Sequence, residues 1–258
     1  MNIQAGLNFH GKVVLITGGA KGVGAGISRS FLAAGAQVIV CGRRAPEQLP
    51  ECEGKRVQFI SCDLRELESI EAMFAHIKAE YGRLDVVVNN AGGSPMVDAA
   101  TASPRLSEGI IRLNLIAPLN VAQHANSIMQ EQAEGGVIIF IGSISALRPS
   151  PQTAAYGAAK AGVLSLVTSL AVEWAPKVRV VTVSPGLVRT EQSHLHYGDE
   201  DGIAAVAETI PAKRLAEPED IGGACVYMAS PLAAYASGCN LLLHGGGERP
   251  AFLAAANV

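Results

Sequence analysis

The sequence has little charge, few aromatic side chains and no strong excess of either charge. Charged residues make up 17% and aromatic residues 5% of the 258 positions, and the formal net charge is −3. A chain this close to neutral lacks the basic surface that nucleic acids require, so we expect no nucleic-acid partner. Apolar residues reach 49%, which favours a protein with a large buried core.

The cysteines are too few and too scattered for a disulfide framework or a zinc site, and we expect free thiols and no metal. The N-terminal dozen residues have no charged segment followed by an apolar stretch, and no run of about 18 apolar residues predicts a membrane span. These absences predict a cytoplasmic protein without a membrane partner. The five cysteines are Cys41, Cys52, Cys62, Cys225 and Cys239.

A glycine-rich turn lies near the start of the chain. The apolar run from Val13 to Ile16 is followed by Thr17–Gly24, TGGAKGVG, and then by amphipathic sequence to Ala34. Glycines allow close approach to the backbone, and a helix N-terminus offers free N–H groups and the positive end of a dipole. A strand, a glycine-rich turn and a helix in this order predict a nucleotide pyrophosphate site; a plain tight turn is the alternative.

The second predicted strand, Gln37 to Cys41, ends without an acidic residue. A carboxylate at this place would accept the ribose hydroxyls of an adenosine, but Gly42 stands there and Arg43 and Arg44 follow. Guanidinium groups bind phosphate bidentately, and Lys21 in the glycine-rich turn adds a third cation. These residues predict an adenosine that carries a 2′-phosphate. A solvated basic rim is the alternative.

Predicted strands alternate with predicted helices along the whole chain. The fold class is therefore α/β, a doubly wound, Rossmann-like parallel sheet of seven strands with helices on both faces, in a single domain over residues 1–258. Ligands of such sheets bind at the carboxyl ends of the strands. The remaining strands are predicted at Val57–Ile60, Leu84–Val88, Val137–Ile141, Val178–Val183 and Asn240–Leu243.

One hydroxyl, one phenol and one ammonium group are predicted to meet at this edge. Tyr156 and Lys160 are four residues apart in an alanine-rich helical run, so they share a helix face, and Ser143 follows the strand that ends at Ile141. A phenol near its ordinary pKa of ~10 is a poor acid or base at neutral pH, and a neighbouring ammonium would lower that pKa. The three residues predict a proton-transfer site.

Two further segments bear on this site. A long helix is predicted from about Arg105 to Gln130, and Pro118 within it leaves the carbonyl of Asn114 without its helical donor, so that it could hold a water; a simple kink is the alternative. The segment 187–216 has no strong periodicity, and we expect it to form a substrate loop or lid.

With these pieces placed, the chain from Lys12 to Gly247 resembles the short-chain dehydrogenase/reductase family. The resemblance implies that Tyr156 exchanges a proton with the substrate oxygen, that Ser143 stabilises charge on it, that Lys160 assists, and that Asn114 anchors a water. The matching motifs are Thr17–Gly24, Asp63-Leu64, Asn89–Gly92 (NNAG), Asn114, Ser143, Tyr156 with Lys160, Pro185-Gly186 and Thr190. The predicted cofactor-binding residues are Gly18, Lys21, Gly22, Val23, Gly24, Arg43, Arg44, Asp63, Leu64, Asn90, Ala91, Gly92, Tyr156, Lys160, Pro185, Gly186, Val188 and Thr190.

The expected function is that of an oxidoreductase that moves a hydride between NADP(H), with NAD(H) possible, and a small-molecule ketone or secondary alcohol. A nucleotide-binding regulatory or scaffold protein without turnover is the alternative. The resemblance and the apolar tail after Pro250 also predict a homotetramer or homodimer. The sequence departs from the family pattern at Gly142, where a second Ser is common, at Val181, where Asn is usual, and at His244, where Asp is usual.

Overall fold

A computed structural model of the chain describes residues 6–255. Seven strands lie in one parallel sheet: β1 (Val13–Thr17), β2 (Gln37–Gly42), β5 (Gln58–Ser61), β6 (Val86–Asn89), β7 (Gly136–Ile141), β8 (Val178–Pro185) and β9 (Asn240–Leu243). Their order in the sheet is β5-β2-β1-β6-β7-β8-β9, which confirms the predicted fold class. A short antiparallel hairpin of β3 (Glu51–Cys52) and β4 (Lys55–Arg56), which the sequence analysis did not predict, precedes β5.

Helices cover both faces of the sheet because the strands are apolar on both sides. One face packs against α2 (Leu67–Tyr81), α4 (Ala117–Glu131) and α5 (Ala154–Glu173), and the other against α1 (Gly22–Ala33) and α8 (Pro218–Ala229). Each face therefore has its own buried cluster. The central strand β1 is buried at all five positions.

The predicted helix from Arg105 to Gln130 is interrupted. It consists of α3 (Pro104–Ile111), a π-helical turn (Arg112–Ile116) and α4. In the turn, the Ala117 N–H donates to the Arg112 carbonyl five residues earlier. Pro118 is the second residue of α4 and follows the π-helical turn directly. The proline therefore coincides with an inserted residue rather than with a simple kink.

The segment 187–216 contains two helices that its weak periodicity did not reveal, α6 (His194–Tyr197) and α7 (Glu200–Thr209). Asp199 caps α7, since its Oδ1 accepts the Gly202 N–H at 3.1 Å. The acidic residues that follow lie in the first turn, where the helix dipole favours negative charge. Three buried residues, Ile203, Ile210 and Leu215, give the segment a small core of its own.

By length and composition alone, helix α5 could cross a membrane. In its most apolar stretch of 18 residues, 39% of the residues are buried inside the protein. Its inner face packs on the sheet through residues such as Val163, Val167 and Leu170. Small side chains cover much of the outer face, among them Ala158, Ala161, Ser165 and Thr168. A core helix of a parallel sheet meets the same compositional test.

The contact between α1 and α8 depends on missing side chains. A Cβ added at Gly222 would lie 2.8 Å from the Gly26 carbonyl oxygen and from the Ser30 Cβ, whereas a Cβ at Gly223 would meet nothing within 4 Å. Gly222 is buried and Gly223 is exposed in the same helix. The two glycines therefore form a matched pair.

We expect Gly222→Ala to lower the free energy of unfolding by about 1–3 kcal/mol, because the helices must move apart. Gly223→Ala should raise it by up to about 1 kcal/mol, because alanine favours the helix. Denaturant unfolding of both variants and the parent measures the difference. Equal effects of the two substitutions would contradict the close packing of α1 on α8.

Candidate active site

Ser143, Tyr156 and Lys160 meet where β7 ends and α5 begins. The Ser143 side chain accepts the Ser145 N–H at 3.1 Å and so caps a short 3-10 turn that follows the strand. Tyr156 and Lys160 lie in the first two turns of α5, with the Lys160 Nζ 5.6 Å from the centroid of the Tyr156 ring. All three residues line one cleft of about 730 Å³, a volume typical of small-molecule sites.

Lys160 is a buried cation with a backbone partner. Its side chain is 4% exposed, and its Nζ donates to the Ile141 carbonyl oxygen at 2.8 Å. Burial lowers the pKa of Lys160 to about 8, because the charged form loses hydration. The lysine still carries its proton at neutral pH, and its pKa lies only slightly above that pH.

Burial raises the pKa of Tyr156, and the neighbouring Ser143 side chain opposes this rise. The expected lowering of the Tyr156 pKa by Lys160 is not found. The reason is geometric, since the Lys160 Nζ is directed to the Ile141 carbonyl rather than to the phenol oxygen. Ser143 is thus the group that favours the phenolate in this structure.

Asn114 lies behind the cleft rather than on its wall. It is completely buried in the π-helical turn. Its Oδ1 accepts the Gly93 N–H at 2.9 Å, and its Nδ2 donates to the carbonyl oxygens of Gly93 and Ile110, each at 2.9 Å. A Cβ added at Gly92 would meet both the Asn114 Oδ1 at 2.5 Å and the Lys160 Nζ at 3.4 Å. Gly92 therefore lies between the side chains of Asn114 and Lys160, and it fits there because it has no side chain.

The glycine-rich turn is built as a cradle. Gly18 and Gly22 have φ values of +63° and +52°, which side chains disfavour. A Cβ at Gly24 would lie 2.3 Å from the Gly18 carbonyl oxygen, so the turn closes only around glycine. The first residue of α1, Gly22, lines the cleft, and the N-cap residue Lys21 makes no side-chain cap. A helix N-terminus in this position fits a pyrophosphate.

Asn90 braces this cradle from the next strand. Its Nδ2 donates to the carbonyl oxygen of Thr17 at 2.9 Å and more weakly to that of Gly18. The Thr17 hydroxyl accepts the backbone N–H groups of Asn90 and Ala91, each at 3.0 Å. Asn90 also lines the cleft, as predicted, but its amide group is already used within the protein.

The end of the cleft that adjoins β2 and β5 contains an ion pair that was not predicted from the sequence. Arg65 binds Asp63 through two guanidinium nitrogens, with 2.9 Å between Nε and Oδ1. These hydrogen bonds lower the pKa of Asp63 to about 2, and the charge of Arg43 adds to the effect. Arg65, Arg43, Arg44 and Lys21 line a single cleft beside Asp63. The spacing of Asp63 and Arg65, two apart in a turn, was the available signal.

The main cleft contains every predicted cofactor-binding residue except Arg44, which lines the adjoining basic cleft. Arg148, which follows the 3-10 turn after β7, is paired with Glu248 at 2.9 Å, so its charge is already compensated. Three other wall residues, Glu191, Gln192 and His196, lie in the segment 187–216, which was predicted as a substrate loop. The wall residues that were missed, because they have no motif, are Cys41, Cys62, Arg65, Gly93, Leu113, Ile141 and Gly142.

Residues 18–248 match a family model described as enoyl-(acyl carrier protein) reductase. The chain is 33% identical to D-threitol dehydrogenase of Mycolicibacterium smegmatis, across 95% of this chain and 96% of that protein. It is 35% identical to 3alpha-hydroxysteroid dehydrogenase of Mediterraneibacter gnavus, across 91% and 96%. A short-chain type dehydrogenase/reductase from Mycobacterium marinum superposes with a TM-score of 0.86, at 29% identity, across 96% of this chain and all of that one.

The chain belongs to the short-chain dehydrogenase/reductase family. The predicted resemblance is confirmed, and the protein is an oxidoreductase acting on alcohol and carbonyl groups. Short-chain dehydrogenases use a nicotinamide dinucleotide, which when bound supplies or accepts the hydride. The cradle at Gly18, Gly22 and Gly24 and the size of the cleft fit that cofactor. Lys160, Val188 and Thr190 line the same cleft.

This short-chain dehydrogenase keeps Lys160 buried at a cost to stability. Because the folded-state pKa of about 8 lies below the ordinary 10.5, the protonated lysine opposes folding fully below pH 8, and the penalty disappears as the pH rises from 8 to 10.5. We expect Lys160→Met to raise the melting temperature at pH 7 by roughly 2–8 °C. The gain should shrink between pH 8 and 10.5.

Thermal unfolding across this pH range, with the parent protein measured at each pH, provides the test. A variant that melts below the parent at pH 7 would show that the bond to the Ile141 carbonyl contributes more than the buried charge costs.

Proposed function

We propose that the enzyme transfers a hydride between NADP(H) and a secondary alcohol or ketone, with Tyr156 as the general acid and base. The observation that carries the proposal is the convergence of Tyr156, Ser143 and Lys160 in the same cleft as the glycine-rich cradle. A substrate oxygen beside the phenol can exchange a proton with it and accept a hydrogen bond from Ser143. Lys160 lies behind the phenol as a cation held by the backbone.

The substrate proposal stays at the level of the reacting group. The relatives named above act on a polyol and on a hydroxysteroid, which have an alcohol group in common and little else. The alternative of a silent nucleotide-binding protein has no support among these relatives, which are named as dehydrogenases. A non-catalytic protein would also have no need for the buried Lys160.

Tyr156→Phe keeps the ring and removes the hydroxyl, so cofactor affinity should be preserved while turnover falls at least ~10²-fold, as expected for loss of a general acid. The measurements are kcat, with a panel of ketones and secondary alcohols, and the dissociation constant of the cofactor by calorimetry. Turnover near that of the parent would refute the role of Tyr156.

The preference for NADP(H) rests on the basic cleft at the adenosine end. Lys21, Arg43 and Arg44 line it together with Arg65, and Ser61 adds a hydroxyl. Gly42 ends β2 without a carboxylate that would bind the ribose hydroxyls of NAD(H) or repel a 2′-phosphate. Asp63 is the acidic residue on this wall, and Arg65 neutralises it. The cleft is thus suited to a phosphate.

Two charge-assisted contacts to a 2′-phosphate favour NADP(H) by ~10²-fold or more before solvent exposure reduces the effect. Gly42→Asp combined with Arg43→Ser should move the preference toward NAD(H). The measurement is kcat/KM with both cofactors in the parent and the double variant. A parent enzyme that uses NADH as well as NADPH would show that the arginines form a solvated rim.

We also propose that the enzyme is a homotetramer or homodimer. The outer face of α5 is lined with small exposed side chains, and Val172 near its end is 80% exposed. Such a face allows close approach of a second helix. The C-terminal segment adds Phe252 and Leu253 as exposed apolar residues; the last three residues of the tail lie outside the described range. Closed symmetry would bury these surfaces.

Light scattering at micromolar concentration should give two or four times the chain mass. Ala161→Glu places a charge on the outer face of α5 and should reduce that mass. Ala205→Glu, on the exposed side of α7, is the control and should not. A monomeric parent protein would refute the proposed assembly.

A further inference from the structure

A carboxylate lies at the N-terminus of the cradle helix. The Glu191 Oε1 accepts the backbone N–H of Gly22, the first residue of α1, at 3.1 Å. The two residues are 169 positions apart. Because Lys21 makes no side-chain cap, Glu191 supplies the cap that α1 otherwise lacks. The contact joins the start of the segment 187–216 directly to the glycine-rich turn.

The same donors are the ones that fit a pyrophosphate. A helix N-terminus binds an anion through its free N–H groups and its dipole, and here one such N–H group is already bonded to an anion. A pyrophosphate in the cradle would also lie beside the Glu191 carboxylate, and two like charges a few ångströms apart repel each other. Glu191 and the pyrophosphate therefore compete for the helix terminus.

Two nearby arginines are paired with other carboxylates and do not neutralise Glu191. Arg189 is paired with Glu200 at 2.8 Å, and Arg29 is paired with Glu219 at 2.5 Å. Within the described residues, the Glu191 side chain has hydrogen bonds only to the Gly22 amide. The contact is exposed, so it is weak enough to be displaced.

The contact also sets the position of the segment that follows. The Thr190 methyl group lies 3.7 Å from where a Gly22 Cβ would be. The Glu191 carbonyl oxygen lies 3.0 Å from the His194 Nδ1 at the start of α6. Release of Glu191 therefore frees the part of the segment that lies over the cleft.

We propose that Glu191 is a positioning residue that holds this segment on the cradle and competes with the cofactor pyrophosphate for the N-terminus of α1. Cofactor binding displaces the carboxylate, and cofactor release restores the contact. The inference rests on dinucleotide binding from the proposed function but not on the preference for NADP(H), because both cofactors contain the pyrophosphate.

The test is Glu191→Gln, which keeps an acceptor oxygen and removes the charge. Calorimetric titration should show NADPH and NADH both binding roughly 2- to 30-fold tighter than to the parent, the range expected for a charge at a helix terminus. The ratio of the two affinities should be unchanged. Adenosine 2′-monophosphate, which has no pyrophosphate, should bind the variant and the parent equally.

Asp201→Asn is the matched control, since it removes a negative charge from the first turn of α7 and leaves the pair of Arg189 and Glu200 intact, and cofactor affinity should not change. Equal or weaker cofactor binding by Glu191→Gln would overturn the proposal, as would an equal gain for adenosine 2′-monophosphate or for the control. A parent that binds NADH as tightly as NADPH contradicts the proposed preference alone, and the gain on both cofactors is still expected.

Discussion

The joint between β1 and β6 is the constraint on which the whole cleft depends. The chain builds β1, β2 and β5 toward one edge and then returns to place β6 on the other side of β1. At this point the crossing connections leave a crevice. Four hydrogen bonds cross this crevice. The Thr17 hydroxyl at the end of β1 accepts the N–H groups of Asn90 and Ala91, and the Asn90 side chain donates to the carbonyl oxygens of Thr17 and Gly18. These bonds attach the cradle to the sheet.

Polar groups that the protein satisfies poorly are concentrated near the same end of the sheet. Within the described residues, Asn89 at the end of β6 and Thr182 and Ser184 in β8 have buried side-chain atoms without a hydrogen-bond partner. A Cβ at Gly142 would lie 2.2 Å from the Ser184 hydroxyl oxygen. The glycine that replaces the usual serine therefore makes room for a serine from β8. Buried polar atoms without hydrogen-bond partners destabilise a fold, and they are common near functional sites.

Much of this architecture could be predicted from the sequence because its signals are local. β-branched runs such as Val178–Val183 and the glycine-rich turn identify strands and a phosphate cradle without knowledge of the fold. The helices of the segment 187–216 were missed because α6 has only four residues and α7 buries one. A segment that is held by its surroundings has little periodicity of its own.

Long-range pairing was the other limit. The bond from Gly22 to Glu191 and the ion pair of Arg148 with Glu248 join residues that are far apart in the chain. The sequence around each residue contains no pattern that predicts its partner. The prediction that Lys160 lowers the pKa of Tyr156 failed for a similar reason. Spacing placed Lys160 on the right face of the helix, but only the structure shows that its Nζ reaches the strand carbonyl instead of the phenol oxygen.

The π-helical turn at Arg112–Ile116 restricts which insertions and deletions this helix can tolerate. One extra residue in a helix rotates everything beyond it by about 100°. Ile110 in α3 and seven residues of α4 between Ala117 and Met129 are buried on the two sides of this turn. Deletion of a single codon in the turn would rotate α3 relative to α4 and move one of these buried faces out of its present contacts. Insertions and deletions in this helix are thus excluded more strictly than substitutions.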